Sequence, residues 1–187
     1  YKQRLIRILH YMSYLKKAGI ILILGMILFL IQSNQRQEQK EIIKQGKTAI
    51  ELVRVVDGDT LVAQVNGIEE RIRIIGINTP ESQRPNHPIE CFGKEASQYL
   101  NELLDNGKQL YIETDQTQNT RDRHGRLLAH IFIDDVNIAE YMIRDGYAYE
   151  YTYRDPYMYQ DDYQSAEHYA RDTERGLWSP DTCNGEV

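Results

Sequence analysis

Two short stretches hold most of the side chains in this sequence that can do chemistry. Asp57-Gly58-Asp59-Thr60 is a polar turn, and Arg71-Ile72-Arg73-Ile74-Ile75-Gly76-Ile77-Asn78-Thr79-Pro80-Glu81 is a strand that ends in a polar cluster. Side chains alternate along a strand, so Ile72 and Ile74 share one face and Arg71 and Arg73 the other, which offers Arg73 to a ligand rather than to a core. Pro80 biases Thr79 away from the helical region, so the chain stays extended where Asn78, Thr79 and Glu81 present oxygens together. With Asp59 folded back beside them, a carboxylate pair, an amide carbonyl and a backbone carbonyl form an all-oxygen set. Such a set suits calcium, with a guanidinium close by. Each element alone reads more plainly, the first as a hairpin turn and the arginine as a solvated charge.

A third motif, Asp122-Arg123-His124-Gly125-Arg126, completes the series. In this order and at these spacings the three motifs resemble the staphylococcal (micrococcal) nuclease family, the thermonucleases, over about Ile50 to Trp178. The resemblance implies calcium-dependent hydrolysis of phosphodiesters in DNA and RNA, nonspecific for the sugar, with 3′-phosphate products. It places Asp59, Asn78 and the Thr79 carbonyl at the family's calcium-ligand positions, and Glu81 where the attacking water is oriented or deprotonated. Arg73 and Arg126 match its two phosphate-binding arginines, whose planar forks suit bidentate contact with phosphoryl oxygens. Asp122 is expected either to hold the loop that carries Arg126 or to be a plain turn residue.

Two departures from the family stand out. Asn78 replaces the usual Asp, so one anionic ligand becomes a neutral carbonyl and calcium should be held less tightly. His124 stands where the family usually has a Tyr that contacts the substrate phosphate, which makes it a substrate-binding candidate sensitive to pH. The competing class is a catalytically weak nucleic-acid or protein binding module on the same barrel. Retention of Asp59, Glu81, Arg73 and Arg126 together favours the enzyme.

The elements that must position these residues follow from patterning. Strands are expected at 50–56, 60–65 and 70–75, joined by Asp57-Gly58 and Asn66-Gly67 hairpins, then at 110–114 and 127–133. A helix opening at Gly93 places Ala96, Leu100, Leu103 and Leu104 on one face. A short helix runs over 138–145 and a last one over 162–175, with Tyr163, Ala166 and Ala170 inward and Leu177-Trp178 capping the core. Five strands with a helix between the third and fourth give an α+β, mainly β fold: a five-stranded OB-fold barrel with three helices. From Tyr147 to Tyr153 every second residue is Tyr, which sets four phenols on one face of an extended segment. They either pack on the barrel or stack on bases, and Tyr151 and Tyr153 are the substrate-binding candidates.

Charge is divided unevenly. Residues 1–47 carry nine Lys/Arg against two Glu, whereas the remainder carries thirteen basic against twenty-six acidic residues. A domain this acidic is a poor general nucleic-acid binder, so a polyanion must be held by a local basic site and bound metal. Residues 1–31 read as a basic segment followed by an apolar run, Ala18 to Ile31, that acts as a signal anchor or a signal peptide, with a buried helix as the plainer alternative. The absence of a small-residue cleavage site after it favours an anchor, with the later domain outside the membrane. Residues 32–47 form a polar linker, 48–180 the nuclease-like barrel of a monomer, and 181–187 a tail. In an exported domain Cys91 and Cys183 are expected to be bonded, and in a cytosolic one to be inert thiols. Neither has neighbours at zinc-ligand spacing.

Overall fold

The structure, a computed structural model, describes residues 24–32, 46–82, 89–105 and 107–186. The chain divides into two compact units, Tyr1–Gln45 and Gly46–Val187. In the first, residues 24–32 form a helix whose Leu24, Met26, Leu28 and Phe29 side chains are exposed. No helix among the described residues is long and apolar enough to cross a membrane. The rest of the expected anchor, residues 18–23, and most of the polar linker lie outside the described residues.

The second unit is built on a closed sheet. β1 (Lys47–Asp57) turns at Asp57-Gly58 into the antiparallel β2 (Thr60–Val65), which turns at Asn66-Gly67 into β3 (Ile68–Ile74). Asn66 and Gly67 both have positive φ, 51° and 79°, the backbone that makes Asn-Gly the favoured two-residue hairpin loop. β4 (Ile77–Asn78) leaves the barrel at the end of β3. On its other edge β1 pairs with β5 (Leu110–Glu113), and β5 pairs with β6 (Leu127–Ile133). β6 closes the ring by running parallel to β3, with Ile72 opposite Leu127 and Arg73 opposite Leu128. Closure removes the sheet edges, and register shifts in β1 between Leu52 and Arg54 and between Val55 and Asp57 help to curve it.

Helix α1 (Gly93–Leu104) lies between the third and fourth barrel strands and buries Ala96, Leu100 and Leu104. After β6 come β7 (Val136–Asn137), α2 (Ile138–Arg144), β8 (Tyr149–Glu150), α3 (Gln160–Asp172) and a 3₁₀ turn at Gly176–Trp178. The fold is therefore the expected α+β barrel. α3 starts and stops earlier than the pattern suggests, because Glu174 adopts φ 51° and breaks the helix before Gly176 is reached. β6 is buried at six of its seven residues, since helices cover its outer face as well. One of the six is His130, whose ring bonds to Tyr163 Oη at 3.2 Å and Asp115 Oδ2 at 3.3 Å. Tyr163 in turn donates to Asn137 Oδ1, so this polar spine links β6 to α3 and to the cap of α2. Cys91 and Cys183 are bonded, which ties the start of α1 to the C-terminal turn across a sequence separation of 92 residues.

The four alternating tyrosines do not share one exposed face. Tyr147 stacks on Tyr99 with ring centroids 3.9 Å apart, and Tyr149 reaches Asn78 from β8. Only Tyr151 and Tyr153 are exposed, at 43% and 62%. The difference arises because extended pairing covers only two residues, Ile77–Asn78 against Tyr149–Glu150, so strict alternation is lost on either side.

Candidate active site

The turn between β1 and β2 is fastened to the chain that follows β4. Asp57 Oδ1 accepts from the Gly58 amide at 2.9 Å and from Ser82 Oγ at 2.7 Å. Gly58 lies directly against Thr79: a Cβ there would sit 2.7 Å from Thr79 Oγ1, so no other residue lets the two segments approach this closely. Asp59 and Thr60 are thereby delivered to the end of β3 and to the Asn78-Thr79 segment. Pairing of Thr60 with Arg73 across β2 and β3 completes the approach.

A continuous series of hydrogen bonds results. Arg126 Nη1 donates to Thr60 Oγ1 at 3.4 Å, a long contact, and Thr60 Oγ1 donates to Asp59 Oδ1 at 2.8 Å. Arg73 Nη2 donates to Asp59 Oδ2 at 2.9 Å and to Asn78 Oδ1 at 3.0 Å, while its Nη1 donates to the Ile74 carbonyl. Asn78 Nδ2 then donates to the Tyr149 hydroxyl. Strand alternation implies a guanidinium free for a ligand, but Arg73 is only 13% exposed and is engaged by neighbouring oxygens. The ion pair with Asp59 and the hydrogen bonds to Asn78 and Ile74 draw it in and offset the cost of desolvating the charge.

Asp122 does more than shape a turn. Its Oδ1 accepts from the amides of His124 and Arg126, each at 2.9 Å, and its Oδ2 accepts from Arg126 Nε at 2.6 Å. Burial, the largest single influence, raises the Asp122 pKa. The Arg126 guanidinium and the two amides together outweigh it and hold the carboxyl below its usual range. The loop and the guanidinium are thus fixed by one ionised group.

The remaining expected residues are placed less uniformly. Glu81 follows Thr79 and Pro80 and is half-buried, with its amide donating to Glu90 Oε2 at 2.8 Å and its carbonyl accepting from the Glu90 amide at 3.0 Å. Gly93 packs on that same carbonyl, so the main chain at Glu81 is held from two sides. His124 is exposed, its ring accepting from Arg123 Nε, and it is not joined to the Arg73–Asp59 series among the described residues. Tyr151 is anchored beside β4 by its amide, which donates a hydrogen bond to the Gly76 carbonyl. Its ring lies 6.4 Å from that of Tyr153, over which Arg154 sits at 5.3 Å.

The donor chemistry fits a hard cation. Asp59 Oδ2 and Asn78 Oδ1 converge on one positively charged nitrogen, and Thr79, whose carbonyl is the expected ligand, also carries a buried Oγ1 with no hydrogen-bond partner among the described residues. All three are oxygens, the type that calcium selects. No three His, Cys, Asp or Glu side chains cluster among the described residues, so a cation here would draw partly on neutral oxygens. Three contributors escaped the sequence reading. Thr60 was visible inside the Asp-Gly-Asp-Thr motif, Tyr149 inside the tyrosine alternation, and Glu90 had no local signal at all.

A closed five-stranded barrel with Asp59 at the β1–β2 turn, Arg73 at the end of β3 and Arg126 just before β6 defines an OB-fold with a site suited to anionic ligands. The profile of the Staphylococcal nuclease homologue family, SNase, matches residues 71–180. The chain belongs to that family. It is 29% identical to the thermonuclease of Staphylococcus hyicus over 128 residues, covering 68% of this chain and 74% of that protein. It is 30% identical to the thermonuclease of Staphylococcus intermedius over 125 residues, covering 67% and 73%. Against endonuclease YncB of Bacillus subtilis (strain 168) it is 35% identical over 99 residues, which are 53% of this chain but only 46% of that protein.

Proposed function

We propose that this chain is a calcium-dependent nuclease that hydrolyses phosphodiester bonds in both DNA and RNA, leaving 3′-phosphate ends. The observation that carries the reading is the series Arg126–Thr60–Asp59–Arg73–Asn78, which joins two guanidinium groups to the oxygens able to hold a hard cation. Asp59, Asn78 and Thr79 would hold calcium, which when bound supplies positive charge to a phosphoryl group and to an attacking water.

The chain's own residues do the rest. Arg126, fixed through Nε by Asp122, keeps donor positions for a phosphoryl oxygen, and Arg73 would supply a second planar fork once its Nη2 is released from Asp59 and Asn78. Together they neutralise charge that grows on the phosphoryl oxygens. Glu81 accepts the proton of the attacking water, its main chain held in place by Glu90. The exposed pair Tyr151 and Tyr153 offers faces on which bases stack, and His124 at the loop tip offers a further contact.

In location, the protein is held to a membrane by the segment ending near residue 32, with the barrel outside the cell, or is released from it after cleavage. The apolar helix over 24–32, exposed all round, supports this, because such a surface is ordinarily covered by lipid or protein. Protease added to intact cells should digest the barrel, and a barrel protected until lysis would refute the placement.

The activity is tested by incubating the purified chain with single-stranded DNA and with RNA, in calcium and in chelator, and identifying the ends formed. Degradation of both in calcium alone is expected. Tight binding of DNA in chelator without cleavage in calcium would instead favour a binding module, since a net acidic domain has little metal-independent affinity for a polyanion.

A further inference from the structure

Asn78 is the one member of the candidate cation site that can present either an oxygen or an N–H group inward. A carboxylate has no wrong way round, but an amide does. In this structure the amide's orientation is set by Arg73, and the Tyr149 hydroxyl, which can donate or accept, satisfies the other end. Arg73 Nη2 is a donor only, so it meets Oδ1, at 3.0 Å. Nδ2 is a donor only, so the Tyr149 hydroxyl must accept from it. Asn78 and Tyr149 face each other as a register pair of β4 and β8, which sets the two side chains side by side. Tyr149 is itself held, its ring packed against the cluster of Ala170, Leu177, Trp178 and Cys183. The hydroxyl therefore comes from a seated ring.

We propose that Tyr149 is a positioning residue that keeps Asn78 an oxygen donor, so that an Asn–Tyr pair performs here what a lone carboxylate performs elsewhere. This inference rests on the calcium reading of the site. Without the Tyr149 oxygen, the half-buried Asn78 N–H group loses its one acceptor among the described residues, and the side chain turns toward water to find another. Binding a cation must then return it and leave the N–H unsatisfied again, which weakens binding. Partners that orient a metal ligand from behind typically change affinity by about 10- to 100-fold. With Asp at position 78 the requirement disappears, because either carboxylate oxygen serves and neither needs an acceptor.

The test is a calcium titration, followed by calorimetry without nucleic acid, of four forms of the full chain: the wild type, Tyr149→Phe, Asn78→Asp and the double variant. Tyr149→Phe should weaken calcium binding about tenfold in the wild type. In the Asn78→Asp background the same change should shift it less than about twofold, a non-additivity that an independent role for Tyr149 does not produce. Thermal unfolding of each form identifies loss of the ring's packing, which the conserved phenyl ring of Phe should preserve. Equal weakening in both backgrounds, or none in either, overturns the inference while leaving the calcium site standing. No calcium binding by any of the four proteins overturns the calcium reading and this inference with it.

Discussion

Replacing Thr60 with Val removes one hydroxyl from the middle of the site and keeps the β-branched shape that suits a strand. Thr60 is 2% exposed, so water does not take the place of the lost group. Its 2.8 Å bond to Asp59 Oδ1 is a hydrogen bond to the carboxylate that pairs with Arg73, worth about 1.5–3 kcal/mol, whereas the long 3.4 Å contact from Arg126 adds little. A tenfold change corresponds to about 1.4 kcal/mol, so loss of Asp59 alignment should cut kcat/KM about 10- to 100-fold. The same loss should lower the melting temperature by about 3–12 °C, at about 2–4 °C per kcal/mol for a domain near 150 residues. Thr60→Ser retains the hydroxyl and should recover most of both. The assay is calcium-dependent cleavage of single-stranded DNA well below the melting temperature, with unfolding followed in parallel. A valine variant as active and as stable as the wild type would refute the role of Thr60 in aligning Asp59, and so would a serine variant as impaired as the valine.

Arg73→Gln frees the two oxygens that Arg73 Nη2 now engages and removes a positive charge, so it should bind calcium about tenfold more tightly, the equivalent of about 1.4 kcal/mol, and yet cleave more slowly. Weaker calcium binding in that variant would show that Asp59 and Asn78 are not the ligands. Reduction of Cys91–Cys183, whose bond spans 92 residues, should cost about 4.6 kcal/mol and lower the melting temperature by about 9–18 °C. An unchanged melting curve after reduction, checked by thiol labelling, would contradict that. Burial lowers the His130 pKa despite Asp115 beside it, so the folded chain binds fewer protons here than the unfolded chain as pH falls past about 6.5. His130 therefore contributes stability that is present above that pH and lost as pH falls through the folded value. The urea midpoint should drop between pH 7 and 5 in the wild type and drop less in His130→Gln, and a flat wild-type profile would refute this.

The barrel was legible because its signals are local. Asn66-Gly67 demands a hairpin, β5 alternates buried and half-buried residues, and Gly93 to Leu104 carries its apolar residues at helical spacing. The proximity of Asp59, Arg73, Asn78 and Arg126 was suggested by the same kind of signal, each lying in a short run with its neighbours. What escaped depends on contacts distant in sequence. Tyr149 meets Asn78 across 71 residues, and nothing in the tyrosine alternation says which phenol turns toward β4. His130 sits in an apolar run and looked like any strand residue, yet β6 is enclosed on both faces and its ring needs Asp115 and Tyr163 to be satisfied. The burial of Arg73 was missed because alternation gives the face of a side chain and not what later folds over it.

Glu81 is the residue whose removal separates catalysis from binding in this barrel. Glu81→Gln keeps size and hydrogen bonding but cannot take a proton, so the decisive measurement is single-turnover cleavage of single-stranded DNA at saturating calcium, with binding of the same DNA measured alongside. A positioned base contributes about 10²- to 10⁴-fold, so the rate should fall by that factor while DNA affinity changes little. A Glu81→Gln protein that cleaves as fast as the wild type would contradict the assignment of this site as the place where the phosphodiester is hydrolysed.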